Sequence, residues 1–363
     1  MSSIQPCPGL NDVDYYMVGI SKLPGFDRVV KLSSNESALG PSPLAVAAAS
    51  QAMAEAHRYP EVETEQLRDA LAAHFDLQAA RITFGPGSDE LLTRLVNTFA
   101  GPGDEVIHSA HAYMQFPIYA KTAGATPVAA DDENFRHSVD GLLNCVSKRT
   151  KIVIVANPDN PSGTHLSDVE IRRLRKALPT GVLLIVDAAY DEYAWADDYR
   201  SATAMVEERD DVVVTRTFSK VFGLAGLRLG WCYGTPDIVD ILERIGPSFP
   251  VNLAARQAGL AALADRDHTR AVLRHNTSVG QKFSQDLTDL GLEVFPSQTN
   301  FVLVRFPDQK IKTAAAANRF LLDRGIIARQ FAVADFEDKL RFTIGLEDEM
   351  EAAYSALGDF MNA

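Results

Sequence analysis

The middle of the chain reads Thr217-Phe218-Ser219-Lys220-Val221-Phe222-Gly223-Leu224-Ala225-Gly226-Leu227-Arg228. This segment follows the apolar residues 212–214 and leads into residues 229–231, so its glycines punctuate a loop between two predicted strands. Lys220 and Arg228 lie eight residues apart in that loop. Because glycine has no side chain, the backbone can pass close to a ligand here. The segment therefore predicts a ligand site on a strand connection.

A lysine and an arginine in such a loop match the needs of a pyridoxal phosphate site. The amine of Lys220 would form a Schiff base with the cofactor aldehyde, and the guanidinium of Arg228 would bind the cofactor phosphate through paired hydrogen bonds. A lone Ser219-Lys220 pair is more often part of an ordinary strand connection, because lysines are nearly always solvated. The interpretation therefore depends on the rest of the chain.

The composition restricts the class of protein. The chain has 363 residues, 46% of them apolar, and a formal net charge of −13. This length predicts two subdomains rather than one core. The acidic balance argues against nucleic acid or an anionic membrane as a partner, although an acidic surface can still hold a local cationic pocket for phosphate. We therefore expect a globular protein with neither partner.

The cysteines and the first residues bear on the cellular compartment. Cys7, Cys145 and Cys232 are widely spaced and include no CxxC pair, which predicts neither a zinc site nor a disulfide framework and fits a reducing cytoplasm. Residues 1–10 lack the basic and long apolar stretches of a signal peptide, and no run of about 18 apolar residues occurs in the sequence. We expect a cytoplasmic protein that is not exported.

Three regions of the chain differ in their pattern. Residues 1–42 are rich in Pro, Gly, Ser and Asn, and they predict an irregular arm that wraps another part of the structure. Residues 43–250 open with a helix at Pro43 and then alternate apolar β-rich runs with helical stretches, which predicts a largely parallel sheet covered on both faces. In residues 251–363, long helical stretches precede short strands, which predicts a second, smaller α+β domain.

Polar residues that directly follow the predicted strands are the candidates for ligand binding, because ligands of doubly wound sheets bind beyond the carboxyl ends of the strands. Asn160 follows the predicted strand 151–156 and could donate to a phenolate oxygen, although a plain loop explains it equally well. Asp187 follows the predicted strand 182–186 and could keep a pyridine nitrogen protonated, with Tyr190 on the phenolate. A lone aspartate at such a place is more often a helix cap.

Two further strand ends carry matching residues. Ser88 and Asp89 open a helix after the predicted strand 82–84, where free backbone amides bind phosphate, although a capped helix alone explains the pattern. Tyr113 follows the predicted strand 105–107 and could stack on a planar ring, although a core aromatic is the commoner explanation. Five strand ends thus supply a Schiff-base lysine, a phosphate grip, a pyridine partner, a phenolate donor and a stacking ring. This coincidence favours the cofactor site.

In this order, the residues resemble those of the fold-type I pyridoxal phosphate enzymes, specifically the class I/II aminotransferases and, among them, the histidinol-phosphate aminotransferases. The resemblance covers nearly the whole chain and rests on these motifs: Leu32-Ser33-Ser34-Asn35-Glu36, Gly40-Pro41-Ser42, Arg58-Tyr59-Pro60, Gly87-Ser88-Asp89-Glu90, residues 157–163, Asp187-Ala188-Ala189-Tyr190, residues 217–228, Asn300-Phe301 and Leu340-Arg341-Phe342-Thr343-Ile344-Gly345. It implies a mostly parallel seven-stranded sheet in a three-layer α/β/α large domain, residues 43–250, with a smaller α+β domain. It also implies that the arm, residues 1–42, belongs to the small domain or to a dimer contact.

The resemblance assigns roles to individual residues. It implies that Lys220 is the Schiff-base lysine and the base that moves a proton between substrate Cα and cofactor C4′, with Asp187 and Tyr190 as further catalytic residues. The cofactor-binding residues that it implies are Ser88, Asp89, Tyr113, Asn160, Asp187, Tyr190, Thr217, Ser219, Lys220 and Arg228, with Tyr59 reaching the phosphate from the neighbouring subunit. The resemblance therefore implies a homodimer with shared active sites.

The substrate-binding residues that it implies are Tyr16, Asn35, Arg329 and Arg341. Arg341 resembles the arginine that grips the anionic end of the substrate, but bidentate arginine geometry suits carboxylate and phosphate equally. The preceding segment, Ala334-Asp335-Phe336-Glu337-Asp338, departs from the Tyr-Gly-Leu-Pro-like loop of many family members. Its three acids would repel a substrate phosphate by about 1 kcal/mol or more per close pair if they faced the pocket, and would have no effect if they faced solvent.

A milder departure lies in the turn at residues 157–163. Asp159 and Ser162 stand where the family turn, Asn-Pro-Asn-Asn-Pro-Thr-Gly, has Asn and Thr. Both departures leave the chemistry of the cofactor untouched and concern the choice of substrate.

The sequence therefore predicts a dimeric pyridoxal phosphate-dependent aminotransferase that moves an amino group from histidinol phosphate to 2-oxoglutarate by a ping-pong mechanism. An aromatic amino acid such as phenylalanine or tyrosine is the alternative donor, which Phe336 would suit. A phosphothreonine decarboxylase-like enzyme is a second alternative, because the reaction depends on which Cα bond stands perpendicular to the ring. A non-catalytic pyridoxal phosphate-binding regulator is a third, which the intact Lys220, Asp187 and Arg228 disfavour.

Overall fold

The computed structural model describes residues 10–13, 19–60, 64–309, 311–331, 333 and 335–363. Its strands are β1 (Val30–Leu32), β2 (Ile82–Gly85), β3 (Glu105–Ser109), β4 (Thr126–Ala130), β5 (Thr150–Ala156), β6 (Leu183–Asp187), β7 (Val212–Thr217), β8 (Gly230–Tyr233), β9 (Glu293–Val294), β10 (Phe301–Arg305), β11 (Ile326–Gln330) and β12 (Lys339–Thr343). Its α-helices are α1 (Pro43–Ala52), α2 (Glu65–Phe75), α3 (Ser88–Phe99), α4 (Phe116–Thr122), α5 (Val139–Asn144), α6 (Asp168–Ala177), α7 (Thr203–Glu208), α8 (Pro236–Ile245), α9 (Leu253–Ala264), α10 (Arg266–Asp289), α11 (Ala314–Leu322) and α12 (Glu347–Asn362).

The larger sheet has seven strands in the order β2-β8-β7-β6-β5-β3-β4. Its neighbours pair in parallel, except that β8 runs antiparallel to both β2 and β7. Alternate residues of β5 enter two different apolar cores: Val153 and Val155 lie in one, and Ile152 and Ile154 in the other. Both faces of the sheet are therefore covered, as the continuous apolar strands require. The predicted fold, a mostly parallel seven-stranded sheet in three layers, is confirmed.

The smaller sheet has five strands in the order β1-β11-β12-β10-β9. Strand β1 pairs in parallel with β11, so that Leu32 lies opposite Ala328, and both side chains enter the second apolar core. The prediction of an irregular segment over residues 1–42 is therefore wrong at β1. Three residues are too short for a strand pattern in the sequence, and the hydrogen-bonding partners of β1 come from the far end of the chain.

Helix α10 connects the two parts of the fold. Its N-terminal half places Val272 in the core beneath the larger sheet, and its C-terminal half places Phe283 and Leu287 in the core of the smaller sheet. Helix α9 also packs on the first core, through Ala255 and Ala258. The predicted boundary at residues 250 and 251 stays a prediction, and the buried face of the chain changes from one core to the other within α10.

The alternating pattern predicted most strands of the larger sheet within two residues of their observed ends, and the helix that the sequence predicts over residues 253–264 has the same ends as α9. Besides β1, the sequence analysis missed β4, β9 and four helices, which are α2, α5, α7 and α8. Strand β4 lies at the edge of its sheet and contains Pro127, which lacks the amide hydrogen that a central strand needs. Over the part of the chain that the model describes, no helix is both long and apolar enough to cross a bilayer.

Candidate active site

A cavity of about 440 Å³ lies between the two sheets, beyond the carboxyl ends of β5, β6 and β7. All the predicted site residues except Tyr16 and Tyr59 line it: Asn35, Ser88, Asp89, Tyr113, Asn160, Asp187, Tyr190, Thr217, Ser219, Lys220, Arg228, Arg329 and Arg341. Apart from the antiparallel β8, the strands of the larger sheet end at one edge, and the smaller sheet closes the cavity opposite to them. Side chains from distant parts of the sequence thereby face one space.

One end of the cavity is built for a phosphate group. The hydroxyl of Thr217, at the end of β7, donates to the Ser219 hydroxyl at 2.9 Å and accepts the Ser219 N–H at 3.0 Å. Nη1 of Arg228 lies 3.5 Å from the same Ser219 oxygen, and Ser88 begins α3 beside them. Hydroxyls, a guanidinium and a helix N-terminus together make an anion site.

Two glycines allow the close packing of this anion site. Gly87 has a φ of 96°, and a Cβ at this position would lie 2.4 Å from Nη2 of Arg228. A Cβ at Gly230 would lie 2.4 Å from the backbone nitrogen of Ser88. A larger residue at either position would therefore displace Arg228 or the start of α3 from the cavity.

Asp89 ties this end of the cavity to the wall behind it. Its Oδ1 accepts hydrogen bonds from Tyr113 at 3.2 Å and from Tyr119 at 2.7 Å. Its Oδ2 lies 3.7 Å from Nη2 of Arg228. Tyr113, predicted as a stacking ring, is therefore anchored through its hydroxyl while its ring lines the cavity.

Asp187 supplies a buried carboxyl group at the end of β6. Oδ1 accepts a hydrogen bond from the Thr215 hydroxyl at 3.2 Å. Burial, followed by the nearby negative charge of Asp89, raises the pKa of Asp187 to about 7. A buried carboxylate gains most from a cationic partner, so this position suits a protonated ring nitrogen such as that of the predicted cofactor.

A hydrogen-bonded chain positions Tyr190. Nδ2 of Asn35 donates to the Tyr190 hydroxyl oxygen at 2.8 Å, and the Thr343 hydroxyl donates to Oδ1 of Asn35 at 3.2 Å. Burial raises the pKa of Tyr190 to about 12, so the hydroxyl keeps its proton and can donate it to a phenolate oxygen. Asn300 holds the chain in place, because its Nδ2 donates to the backbone oxygen of Asn35 at 3.0 Å.

Lys220 lies in the middle of the cavity, just after β7. Its Nζ donates to the backbone oxygen of Asn35 at 3.4 Å and lies 5.5 Å from the centre of the Tyr190 ring. Lys220 lines the same cavity as Asp187 and the anion site at Ser219 and Arg228. An amine in this cavity could react with an aldehyde bound there.

Two arginines of the smaller sheet face the same space. Arg329 of β11 and Arg341 of β12 are register partners on neighbouring antiparallel strands, and both are buried. Arg341 donates to the side-chain oxygen of Asn160 and, at 3.1 Å, to the backbone oxygen of Ser33. Two neighbouring buried guanidinium groups repel each other, so an anionic ligand between them is favoured.

The acidic segment at residues 335–338 points away from the cavity. Oδ2 of Asp335 lies 3.2 Å from Nε2 of His111, and Oδ2 of Asp338 lies 3.2 Å from Nε of Arg305. Glu337 is exposed. None of the described residues of the acidic segment, 335–338, lines the cavity. The repulsion that the sequence analysis considered for inward-facing acids therefore does not apply.

Phe336, which favoured the aromatic alternative, is not part of the cavity lining either. It is only 3% exposed and packs against Phe331, with 5.1 Å between the ring centres. Phe331 in turn lies 5.5 Å from the guanidinium carbons of Arg329 and Arg341. This phenylalanine cluster therefore supports the two arginines from behind.

Two predicted site residues, Tyr16 and Tyr59, are not among the described residues that line the cavity. Tyr16 lies outside the described residues. Tyr59 does not line the cavity of its own chain; it is 81% exposed and stacks on Phe249, with 4.5 Å between the ring centres. The structure therefore leaves the role assigned to Tyr59, in a neighbouring subunit, as a prediction.

The sequence analysis gave no role to several residues that shape the site. Asn300 and Thr343 fall in motifs that it quoted, but their contacts with Asn35 join positions too distant in sequence to be inferred from one chain. Thr215 lies inside an apolar strand, where its contact with Asp187 has no sequence signal. The other lining residues are Gly19, Ser21, Ser33, Ser34, Glu36, Ala156, Pro158, Ala189 and Ala225.

Comparison with known proteins identifies the family. The model of the family described as aminotransferase class I and II matches residues 27–357. The chain belongs to this family. The histidinol-phosphate aminotransferase of Paramagnetospirillum magneticum is 46% identical over 363 residues, 100% of both chains, and that of Rhodospirillum centenum is 46% identical over 361 residues, 99% of both chains.

A solved structure agrees with this assignment. The histidinol-phosphate aminotransferase of Sinorhizobium meliloti, in complex with pyridoxal-5′-phosphate, superposes on this chain with a TM-score of 0.86 at 31% identity. The match covers 92% of this chain and 90% of the solved chain. The resemblance and the fold type predicted from the sequence are confirmed. As a class I/II aminotransferase, the chain is a pyridoxal phosphate-dependent enzyme, and the anion site, Asp187 and Lys220 fit that cofactor.

Proposed function

We propose that this aminotransferase moves an amino group from histidinol phosphate to 2-oxoglutarate. The observation that carries the proposal is the pair of buried arginines, Arg329 and Arg341, in a cavity from which the acidic segment 335–338 turns away. Both substrates are anions, so one arginine pair can bind the phosphate of the donor and a carboxylate of the acceptor. The names of the two relatives at 46% identity support the same donor.

The chain's own residues account for the proton transfers. When bound, the cofactor supplies an electron sink for the bond that breaks at the donor Cα. Nζ of Lys220 would hold the cofactor through its aldehyde. Once free, the same amine would take the proton from the donor Cα and deliver it to C4′ of the cofactor. Asp187 would keep the ring nitrogen of the cofactor protonated, and Tyr190 and Asn160 would donate hydrogen bonds to its phenolate oxygen. Arg341 and Arg329 orient the donor through its anionic end.

A ping-pong mechanism follows if donor and acceptor bind the same arginine pair, Arg329 and Arg341. The keto product must leave before 2-oxoglutarate can occupy the same arginines, and Lys220 then moves the proton in the opposite direction. Donor and acceptor should therefore compete for the same groups of the chain.

The donor is tested in a half-reaction without keto acid. The holoenzyme is mixed separately with histidinol phosphate, phenylalanine and phosphothreonine, and the keto product is quantified against the enzyme by mass spectrometry. We expect rapid formation of the keto product of histidinol phosphate, stoichiometric with active sites, and at least about 100-fold slower reaction with phenylalanine, whose one anionic group is a carboxylate on Cα rather than a phosphate.

Each other outcome has a definite meaning. Faster reaction with phenylalanine would replace histidinol phosphate by an aromatic donor. Release of carbon dioxide from phosphothreonine would show decarboxylation instead of transamination. A loaded protein that converts none of the donors in either assay would contradict the proposed substrate.

We also propose a homodimer in which Tyr59 binds the cofactor phosphate of the partner subunit. Tyr59 and Phe249 form an exposed stacked pair, and Leu44, Val46 and Met53 present further exposed apolar side chains on and next to α1. An exposed apolar surface of this kind favours burial against another chain. A cytoplasmic location stays a prediction from the cysteine pattern.

Changing Tyr59 to Phe is expected to weaken cofactor binding about tenfold, because one hydrogen bond to a charged phosphate is lost. The decisive test is a heterodimer of Tyr59→Phe with Lys220→Ala subunits. If Tyr59 acts across the interface, its one competent site combines Lys220 of one subunit with Tyr59 of the other, and its cofactor Kd is that of the wild type. A Kd equal to that of the Tyr59→Phe homodimer would place Tyr59 in the cavity of its own chain.

A further inference from the structure

The two departures from the family turn at residues 157–163 contact each other. Oδ2 of Asp159 accepts hydrogen bonds from the Ser162 hydroxyl at 2.6 Å and from the Ser162 N–H at 3.2 Å. Asp159 is 1% exposed and Ser162 is fully buried. The carboxylate therefore closes the turn from inside, where an asparagine and a threonine would do so without a charge.

The other oxygen of this carboxylate faces a histidine. Nε2 of His137 lies 3.3 Å from Oδ1 of Asp159, and His137 is itself only 3% exposed. The same Nε2 donates to the backbone oxygen of Ala156, the last residue of β5, at 3.0 Å. Among the described residues, Oδ1 of Asp159 accepts no hydrogen bond within ordinary geometry, so this histidine is its close polar neighbour. His137 thus contacts both the strand end and the turn that follows it.

The turn carries a residue of the active site. Asn160, which directly follows Asp159, accepts a hydrogen bond from Arg341 and lines the cavity. A shift of the turn would move the side-chain oxygen that holds the guanidinium of Arg341. The contact of His137 with Asp159 and the contact of Asn160 with Arg341 therefore couple the position of His137 to Arg341, which binds the anionic end of the substrate in the proposed function.

The charge of the pair matters as well as its position. Burial by itself lowers the pKa of His137, but the neighbouring Asp159 and Asp132 raise it above its ordinary value. The pKa of the nearby His108 is lowered, chiefly by burial and also by the charge of His137. A protonated His137 compensates the charge of Asp159 behind the cavity. Without that compensation, the buried carboxylate of Asp159, next in sequence to the Asn160 that binds Arg341, would weaken the attraction of the arginines for an anion.

We propose that His137 is a positioning residue: with Asp159 it forms a buried ion pair that fixes the turn carrying Asn160 and preserves the anion affinity of Arg341. The inference rests on the proposed function only in assuming that the bound substrates are anions. It predicts that the cost of losing His137 disappears when the charge of Asp159 is removed too.

The test compares His137→Gln with the double variant His137→Gln/Asp159→Asn, both as holoenzymes. In the single variant we expect the Kd of 2-oxoglutarate, measured by titration calorimetry without a donor, to rise about tenfold, because a buried carboxylate is left uncompensated. In the same variant we expect kcat to change by less than about threefold. In the double variant the Kd should return to within about threefold of the wild type. Because no donor enters the Kd, a failure of the donor proposal leaves this test intact.

His108→Gln is the matched control. His108 is also a buried histidine, and its Nδ1 lies 2.9 Å from the backbone oxygen of Ser109 rather than beside the turn. Asp159→Asn should not improve the Kd of a His108→Gln variant. An unchanged Kd in His137→Gln, or a weakened Kd that Asp159→Asn fails to restore, would reduce His137 to a packing residue and overturn the proposal.

A second measurement covers the case in which His137→Gln does not fold. Nitrogen NMR of histidine-labelled wild-type protein should show both ring nitrogens of His137 protonated at neutral pH, and Asp159→Asn should make that ring neutral. A neutral ring in the wild type would overturn the ion pair directly.

Discussion

Replacing Lys220 with Ala is expected to lower kcat for amino transfer by roughly 10³-fold or more, because the chain loses both the amine that binds the cofactor aldehyde and the base that moves the Cα proton. Nζ of Lys220 lies 5.5 Å from the centre of the Tyr190 ring, and Lys220 lines the same cavity as Asp187. Neither a water molecule nor a neighbouring side chain would replace the Lys220 amine at this position in the variant. The anion site at Ser219 and Arg228 stays intact, so we expect the variant still to bind the cofactor, without a covalent bond.

The covalent bond gives a readout that is independent of activity. Borohydride reduction of the wild-type holoenzyme, followed by peptide mass spectrometry, should place the cofactor mass on the peptide that contains Lys220, and the Ala variant should carry no such addition. Lys282→Ala is the control, because Lys282 pairs with Asp286 on the surface of α10, away from the cavity lining. Labelling of another lysine in the wild type would refute the assignment of Lys220.

Local sequence patterns predicted the part of the site that belongs to the larger sheet. Ser88, Asp187 and Lys220 each follow an apolar strand, and parallel strands end at one edge, so strand pattern alone brings them together. The hydrogen bonds of Asn35 with Tyr190 and Thr343 could not be inferred in this way. They depend on how the smaller sheet docks on the larger one, which is a property of the packed chain.

The direction in which a side chain points was the second feature that the sequence did not predict. The segment 335–338 could face the pocket or solvent, and only the packing of Phe336 into the phenylalanine cluster decides that its acids turn outward. Similarly, the change to Asp159 appeared mild in the sequence, because the histidine that faces it lies more than one element away. Buried charges find partners across the fold, and a single sequence does not show which ones.

Asp187→Asn is expected to reduce kcat by about 10²- to 10³-fold while the cofactor stays bound, because the ring nitrogen loses the negative charge that keeps it protonated. Asn keeps the volume and can still accept the hydrogen bond of Thr215, so the variant removes charge rather than structure. Single-turnover kinetics with a donor deuterated at Cα separates this step from binding. A large isotope effect in the variant identifies proton removal as the slowed step, whereas near-normal turnover would contradict the role of Asp187. Asp140→Asn, on the surface beside Arg173, serves as the control.

The pKa of Asp187 adds a pH dependence with a definite sign. In the chain without cofactor, burial raises this pKa to about 7, so near neutral pH a large fraction of the carboxyl groups carries a proton. Pairing with a cationic ring nitrogen requires the ionised form, so the cofactor lowers the pKa and its binding releases a proton from Asp187. Cofactor affinity should therefore rise as the pH increases towards about 7 and level off above it. Cofactor binding can also change the protonation of other groups, so the decisive quantity is the difference between the wild type and Asp187→Asn. Equal pH profiles for the two proteins would mean that Asp187 does not face the ring nitrogen.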